Sequence, residues 1–255
     1  MKRIKIKELE LGTGRPKICV PLTGRTKTGL IEEAVNAKTS CADLVEWRID
    51  WFDLVDDIEE LSKTSMLLRE ILGSIPLLIT FRTEEEGGAK PIEKEAYEAL
   101  LMEICERQLA DLIDIESMKG DELVRRLVRK AKEQGIFTVG SNHDFDKTPS
   151  KEEIVGRLCK MQDLNFDITK IAVMPKKERD VLTLLDATLS MKEIYADRPF
   201  ITMSMDKMGL ISRMAGELFG SCLTFGKAGE ASAPGQIDAG ELCSILDLLH
   251  EVGES

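Results

Sequence analysis

Apolar residues recur along the chain in eight short runs, and between the runs they repeat with the spacing of a helix. The runs are KICVPL (17–22), LVEWRI (44–49), PLLITF (76–81), LIDIES (112–117), FTVGSN (137–142), ITKIAV (168–173), FITMSM (200–205) and SCLTFG (221–226). The helical spacing is clear at Leu61, Leu68 and Leu72, and a closing helix is predicted over residues 242–252. Strands that alternate with helices in this way predict a parallel sheet.

Eight strand–helix units within 255 residues are typical of a (β/α)8 barrel, the TIM barrel of the α/β class. A doubly wound open sheet is the alternative. The N-terminal stretch MKRIKIKELELG alternates charged and apolar residues, which predicts a short strand or hairpin ahead of the barrel. Because no linker or low-complexity segment interrupts the pattern, we interpret residues 1–255 as a single domain.

Polar residues share one face of the predicted strands, since successive strand residues point to opposite sides. In LVEWRID, Glu46 and Arg48 lie on the face opposite Trp47. The polar set found late in the strands is Glu46, Arg48, Arg82, Asp114, Glu116, His143 and Lys170. An unpaired charge inside a covered sheet is costly, so we expect these side chains to pair with one another and with a ligand inside the barrel. The alternative is a polar outer face on an open sheet.

Composition and charge narrow the possible partners. A formal net charge of −11 argues against a nucleic acid or an anionic membrane. The chain has no run of about 18 apolar residues and no signal peptide, so we expect no membrane span. Its cysteines, at positions 19, 41, 105, 159, 222 and 243, form no C-x-x-C pair or zinc spacing, which is typical of a reducing cytoplasm. We therefore expect no metal and no cofactor, and chemistry that comes from side chains.

Lys170 is the most informative member of the polar set because it lies within an apolar strand. Burial disfavours the ammonium form of a lysine, and a neutral amine adds to carbonyl carbon. This predicts a Schiff base, although a salt bridge from Lys170 to Asp114 or Glu116 is the alternative. An imine acidifies the adjacent C–H bond, so a base is needed. His143, on the preceding strand, has the right side chain for that task, whereas we expect His250 on the surface.

Ordered blocks along nearly the whole chain resemble the type I 3-dehydroquinate dehydratase family. They are VEWRID (45–50), ITFRT (79–83), IDIE (113–116), SNHDFDKTP (141–149), KIAVMP (170–175), SRMAGELFGSCLTFG (212–226) and SAPGQI (232–237). The resemblance implies a cofactor-free (β/α)8 barrel, usually a homodimer, in the shikimate pathway to aromatic amino acids. It also implies a syn elimination of water from 3-dehydroquinate to 3-dehydroshikimate.

The resemblance further implies a role for each matching residue. Lys170 would form the imine with the substrate's ketone, His143 would move protons, and Glu86 would orient His143. The substrate-binding set would be Glu46, Arg48 and Arg82 on the strands, with Arg213, Ser232 and Gln236 as a carboxylate clamp and closing loop. The first strand departs from many relatives, because Pro21 stands where they carry a serine.

Two other functions are open at this point. A class I aldolase also uses a barrel lysine imine, but it cleaves a C–C bond and would release an aldehyde. A non-catalytic barrel that binds a small molecule would hold its ligand without a covalent adduct.

Overall fold

The computed structural model of the protein describes residues 2–229 and 235–253. Within these residues an antiparallel hairpin, β1 (Ile4–Ile6) and β2 (Leu9–Leu11), precedes a parallel sheet of nine strands. The strands are β3 (Lys17–Leu22), β4 (Leu44–Arg48), β5 (Leu77–Thr80), β6 (Leu112–Glu116), β7 (Phe137–Asp144), β8 (Ile168–Val173), β9 (Phe200–Ser204), β10 (Leu223–Lys227) and β11 (Ile237–Asp238). All eight predicted runs are therefore strands, β3 to β10.

Helices connect these strands on the outside of the sheet. They are α1 (Lys27–Thr39), α2 (Ile58–Leu72), α3 (Lys94–Glu106), α4 (Asp121–Glu133), α5 (Lys151–Asp163), α6 (Glu178–Ser190), α7 (Leu210–Met214), α8 (Gly216–Phe219) and α9 (Ala239–Gly253). Capping sets where several begin: the Asp57 carboxylate, for example, accepts from the backbone N–H groups of Glu59 and Glu60 at the start of α2. None of the helices in the described ranges is long and apolar enough to cross a membrane.

The strand order confirms the predicted barrel. The hydrogen-bonded order runs β11, β10, β3 and then sequentially to β9, so each strand lies beside its neighbour in the chain. The sheet curls until its ends meet, where Cys222 N donates to Phe200 O at 2.9 Å. A doubly wound sheet would change direction at a switch point in the strand order, and this sheet does not, so that alternative is wrong.

The barrel interior divides into an apolar floor and a polar upper part. At the amino ends of the strands the inward side chains are apolar, and the N-terminal hairpin covers them with Ile4, Ile6, Leu9 and Leu11. The inward residues of this floor include Cys19, Leu44, Leu78, Leu112, Val139, Ile168, Ile201 and Leu223. Two residues further along each strand the side-chain alternation returns inward, and these positions include the charged residues Glu46, Asp114 and Lys170. The floor therefore closes one end of the barrel and leaves the carboxyl ends of the strands for a site.

Candidate active site

A pocket opens at the carboxyl ends of the barrel strands. It is lined by Glu46, Arg48, Arg82, Glu86, Gly87, His143, Phe145, Lys170, Ala172, Met203, Met205, Arg213, Phe225 and Gln236. The charged groups come mainly from β4 to β8, while Met203, Met205 and Phe225 form an apolar wall from β9 and β10. Met203 and Met205 are buried, and both form part of the pocket.

The strand register sets the relative heights of the two groups predicted to do chemistry. Across β7 and β8, Ser141 pairs with Lys170 and His143 pairs with Ala172. Both Lys170 and His143 line the pocket, and His143 lies one inward step closer to the carboxyl ends. The amine therefore sits deeper in the barrel than the imidazole.

Lys170 is buried, and its closest charged partner among the described residues is Glu46. Its Nζ lies 3.9 Å from Glu46 Oε1 and 4.4 Å from the centre of the Phe225 ring. Glu46 Oε1 in turn accepts a hydrogen bond of 2.8 Å from Thr80 Oγ1. At 3.9 Å the ion pair is too long to be a hydrogen bond, so the amine can face a ligand in the pocket.

Arg82 takes the two carboxylates that were the alternative partners of Lys170. Its guanidinium donates to Asp114 Oδ1 at 2.8 Å and to Glu116 Oε1 and Ser141 Oγ at 3.0 Å. Burial acts to lower the pKa of the Arg82 guanidinium, but the neighbouring carboxylates together raise it by more. The pKa of Arg82 therefore lies well above its ordinary value. The alternative of a salt bridge from Lys170 to Asp114 or Glu116 is therefore wrong. The expectation that both carboxylates balance interior cations is confirmed.

Asp50, which was not among the residues predicted from the sequence, holds two parts of the site together. This fully buried carboxylate accepts from Arg48 Nε at 2.8 Å and Arg48 Nη2 at 2.7 Å. It also accepts from the backbone N–H of Arg82 at 3.2 Å and of Ala89 at 3.0 Å. The loop from Arg82 to Ala89 turns so tightly that a Cβ at Gly88 would lie 1.8 Å from Arg82 O. A glycine is therefore needed at this position. Asp50 follows β4 in a turn of 3-10 helix (Ile49–Trp51), where strand alternation no longer applies, and its place in the VEWRID block was the available signal.

Glu86 reaches His143 from the same loop. Its Oε2 accepts from the backbone N–H of His143 at 2.9 Å and lies 3.0 Å from the ring nitrogen Nδ1. Its Oε1 accepts from Asn142 Nδ2 at 3.2 Å. Asp144 points outward toward Arg157, at 3.5 Å. Glu86 therefore contacts the imidazole, as the resemblance implied.

The surroundings of this pair control its protonation. Burial lowers the pKa of His143 well below its ordinary value, and the charges of Arg82, Lys170 and Arg48 lower it further. Burial raises the pKa of Glu86 to about 7, although Arg82 opposes this shift. Because the two groups touch, the proton that binds near neutral pH belongs to the pair. Above that pH, the ionised Glu86 carboxylate accepts a hydrogen bond from the Nδ1–H of neutral His143, which leaves Nε2 free as a base.

The remaining predicted residues are placed as follows. Arg213 lies buried in α7 and lines the pocket, with Nη1 3.9 Å from Met203 Sδ, and burial lowers its pKa to about 10. Gln236 also lines the pocket, whereas Ser232 lies outside the described residues. Neither Pro21 nor His250, both of which are described, lines the pocket. His250 is half-buried rather than fully exposed, and its Nδ1 lies 2.6 Å from Glu217 Oε1.

A (β/α)8 barrel with a polar pocket at the carboxyl ends of its strands defines the class of barrel enzymes. Here the pocket combines a buried lysine with a histidine–carboxylate pair, which suits chemistry at a carbonyl group.

Known proteins narrow this class to one family. The family model of type I 3-dehydroquinase matches residues 18–252. The chain is 52% identical to the 3-dehydroquinate dehydratase of Clostridioides difficile strain 630 over 250 residues, 98% of each chain. It is 51% identical to that of Bacillus subtilis strain 168 over 251 residues, again 98% of each. A crystal structure of the type I enzyme from Clostridium difficile, with covalent modified comenic acid, matches with a TM-score of 0.96 and 51% identity over 98% of this chain and 99% of that one. This chain belongs to the type I 3-dehydroquinase family.

Proposed function

We propose that this chain eliminates water from 3-dehydroquinate to give 3-dehydroshikimate, as a hydro-lyase of the shikimate pathway that works through an imine at Lys170. The observation that carries the proposal is the placement of the buried Lys170 amine in the same pocket as the His143 imidazole. Neither a binding barrel nor a structural barrel would need a nucleophile and a histidine–carboxylate pair there.

The reaction begins when the Lys170 amine adds to the substrate's ketone carbon. The carbonyl oxygen takes one proton from the amine and a second from His143 and leaves as water, which forms an iminium ion and leaves His143 as a base. His143 Nε2 then removes the C2 proton, and the electrons of that C–H bond move to the iminium nitrogen as an enamine. The enamine expels the hydroxyl group, which takes a proton from His143 and departs as water. Hydrolysis of the remaining imine, again with His143 moving protons, releases the product and restores Lys170.

The other pocket residues position the substrate. Arg213 is suited to bind the substrate carboxylate. Its guanidinium is buried beside the apolar wall, and a carboxylate can accept two parallel hydrogen bonds from it. The resemblance assigns Ser232 and Gln236 to the same clamp, and Gln236 lines the pocket. Glu46 and Arg48 take substrate hydroxyl groups. Arg82 contributes its positive charge, and three of its five N–H donors already bind Asp114, Glu116 and Ser141.

We also propose that residues 1–255 act as one barrel domain without metal or cofactor, in the cytoplasm and as a homodimer. The six cysteines are all free, which is consistent with a reducing compartment. Sedimentation at several protein concentrations tests the dimer.

The imine is tested by reduction. Borohydride added together with 3-dehydroquinate should inactivate the protein and leave one covalent adduct, which peptide mass analysis should place on Lys170. Borohydride without substrate should leave activity intact, and a chelator should have no effect. An adduct on another lysine would contradict the assignment, and release of an aldehyde would favour the class I aldolase.

The pH dependence tests the histidine–carboxylate pair. We expect kcat/KM to fall as the pH drops through about 7, because protonation of the pair removes the base at His143 Nε2. In Glu86→Gln, His143 loses its carboxylate but keeps the neighbouring cations, so the fall should move to a pH below 6.5. Initial rates between about pH 5 and 9 measure both profiles. An unchanged profile in Glu86→Gln would show that Glu86 takes no part in the titration.

Arg213→Lys tests the carboxylate clamp. Lysine keeps the positive charge but cannot form two parallel hydrogen bonds, so KM should rise about 10- to 100-fold with a smaller change in kcat. Arg198→Lys is the matched control, because Arg198 pairs with Asp197 and does not line this pocket. An unchanged KM in Arg213→Lys would assign the carboxylate to another group.

A further inference from the structure

Behind the catalytic pair, on the outer side of β7, two polar side chains form a path from the surface to Glu86. Arg157 lies in α5, and Asn142 precedes His143 in β7. Arg157 Nη1 donates to Asn142 Oδ1 at 2.8 Å, and Asn142 Nδ2 donates to Glu86 Oε1 at 3.2 Å. Glu86 Oε2 then contacts His143. Neither Asn142 nor Arg157 lines the pocket, so neither is placed to touch the substrate.

Arg157 determines which way the Asn142 amide points. A guanidinium only donates hydrogen bonds, so the amide group must turn its oxygen toward Arg157. The NH₂ group is then directed at Glu86, where it favours the ionised carboxylate. If the amide rotated by half a turn, its oxygen would face a carboxylate oxygen, and that arrangement is favourable only when Glu86 is protonated. Asn142 is buried, so water cannot readily replace either partner.

We propose that Asn142 and Arg157 are positioning residues that keep Glu86 ionised and aligned with the imidazole of His143 during the reaction. This inference rests on the proposed function for its catalytic meaning. Asn142 makes the contact to Glu86, and Arg157 acts through Asn142. The sequence reading identified Glu86 and His143 but did not identify what holds them.

Several charged groups face Glu86 and act together on its protonation. Arg82 Nη1 lies 3.5 Å from Glu86 Oε2 and favours the ionised form, as does Asn142. Glu116 and Asp114, on β6, favour the protonated form, as does burial. His143 contacts Glu86 from β7. The ionised and protonated forms of Glu86 are therefore close in free energy near neutral pH. Loss of the hydrogen bond from Asn142 should then shift Glu86 toward its protonated form.

Asn142→Ala is the first test. Loss of the donor should raise the pH at which kcat/KM falls by about one unit, and the rate should recover to within several-fold of the wild type at higher pH. A merely structural role would lower the rate equally at all pH values. Glu153→Gln is the matched control, because it removes the negative charge of another partner of Arg157 on α5 and leaves the bond to Asn142 in place. The control should keep the wild-type profile.

Arg157→Met tests whether the arginine acts through Asn142. Introduced into the wild type, it should shift the profile in the same direction as Asn142→Ala. Introduced into Asn142→Ala, it should add no further shift, because the amide it orients is gone. An additive shift would mean that the Arg157 charge acts on the pair directly, or through Asp144, and would overturn the second half of the proposal.

The imidazole itself gives a readout that does not depend on turnover. The chain has two histidines, so in a His250→Gln background the ring nitrogens of His143 give one set of NMR signals. Their titration midpoint should rise by about one pH unit in Asn142→Ala, as the kinetic profile does. If neither the kinetic midpoint nor the NMR midpoint moves in Asn142→Ala, while the wild type dehydrates 3-dehydroquinate, the positioning role is wrong and the proposed function stands. If the NMR midpoint of His143 moves in Asn142→Ala but the wild type forms no enone product from 3-dehydroquinate, the proposed function is wrong. The effect of Asn142 on Glu86 and His143 would still stand.

Discussion

Lys170→Met should reduce turnover of 3-dehydroquinate by on the order of 10⁵-fold or more, because it removes the amine that forms the imine. Methionine has a similar length and an apolar stem, so it can fill the same space beside the Phe225 ring. Glu46 loses its ion pair but keeps the hydrogen bond from Thr80 Oγ1. The change should therefore remove chemistry while leaving the barrel folded. Enone absorbance measures the rate, and thermal unfolding measures the fold.

Lys119→Met provides a matched control for the loss of a lysine. The Lys119 side chain is also largely buried, and it pairs with Glu85 and Glu116, but it does not line the pocket. Its turnover should stay within several-fold of the wild type. If Lys170→Met folded normally and kept more than about a hundredth of the activity, the imine mechanism at this residue would be excluded.

The strands could be predicted from the sequence because of how a parallel sheet is buried. Both faces of such a sheet are covered, so each strand appears as a short run that is easy to separate from amphipathic helices. The alternation within a run then assigns a face to every residue. That rule placed Glu46, Arg48, His143 and Lys170 inside the barrel, and all four line the pocket.

Alternation assigns a face but does not choose partners within that face. Asp114 and Glu116 share the interior with both Lys170 and Arg82, and the sequence favours neither pairing. The structure pairs them with Arg82, because its fork of donors reaches two carboxylates and Ser141 at once. Lys170 is left with a longer contact to Glu46. This choice depends on three-dimensional distances that no local pattern encodes.

The supporting residues were harder to find because they lie beyond the regular strands or outside the barrel. Asp50 follows the end of β4 within a turn, where the alternation of a strand no longer applies. Arg157 comes from a helix that looks like a solvated surface in the sequence, yet it contacts Asn142 on the outer side of β7. The hairpin was predicted, but its docking over the amino ends of the strands was not. Such contacts join segments far apart in the chain.

His143→Ala should lower turnover by roughly 10²–10⁴-fold, the usual contribution of a general acid–base group. The variant removes the imidazole but keeps the backbone N–H of His143 that Glu86 accepts, so the loop carrying Glu86 should stay in place. His250→Ala is the matched control, because His250 contacts Glu217 and does not line the pocket. The control should retain wild-type turnover within a small factor.

The trapped species in His143→Ala should show which step the imidazole serves. Lys170 is unchanged in the variant, so it can still react slowly with the ketone, but the C2 proton is no longer removed efficiently. Borohydride should therefore trap an adduct on Lys170 that retains the substrate hydroxyl, heavier by the mass of one water than the adduct formed after elimination. The wild type should yield both adducts, since it passes through both imines.

If the variant gave only the lighter adduct at a near-normal rate, elimination would not require His143, and Glu86 or Glu46 would become the candidate base. If it gave no adduct although it folded normally and bound substrate, the main role of His143 would lie in imine formation. Retention of the heavier adduct, together with the lost turnover, would assign proton removal from C2 to His143.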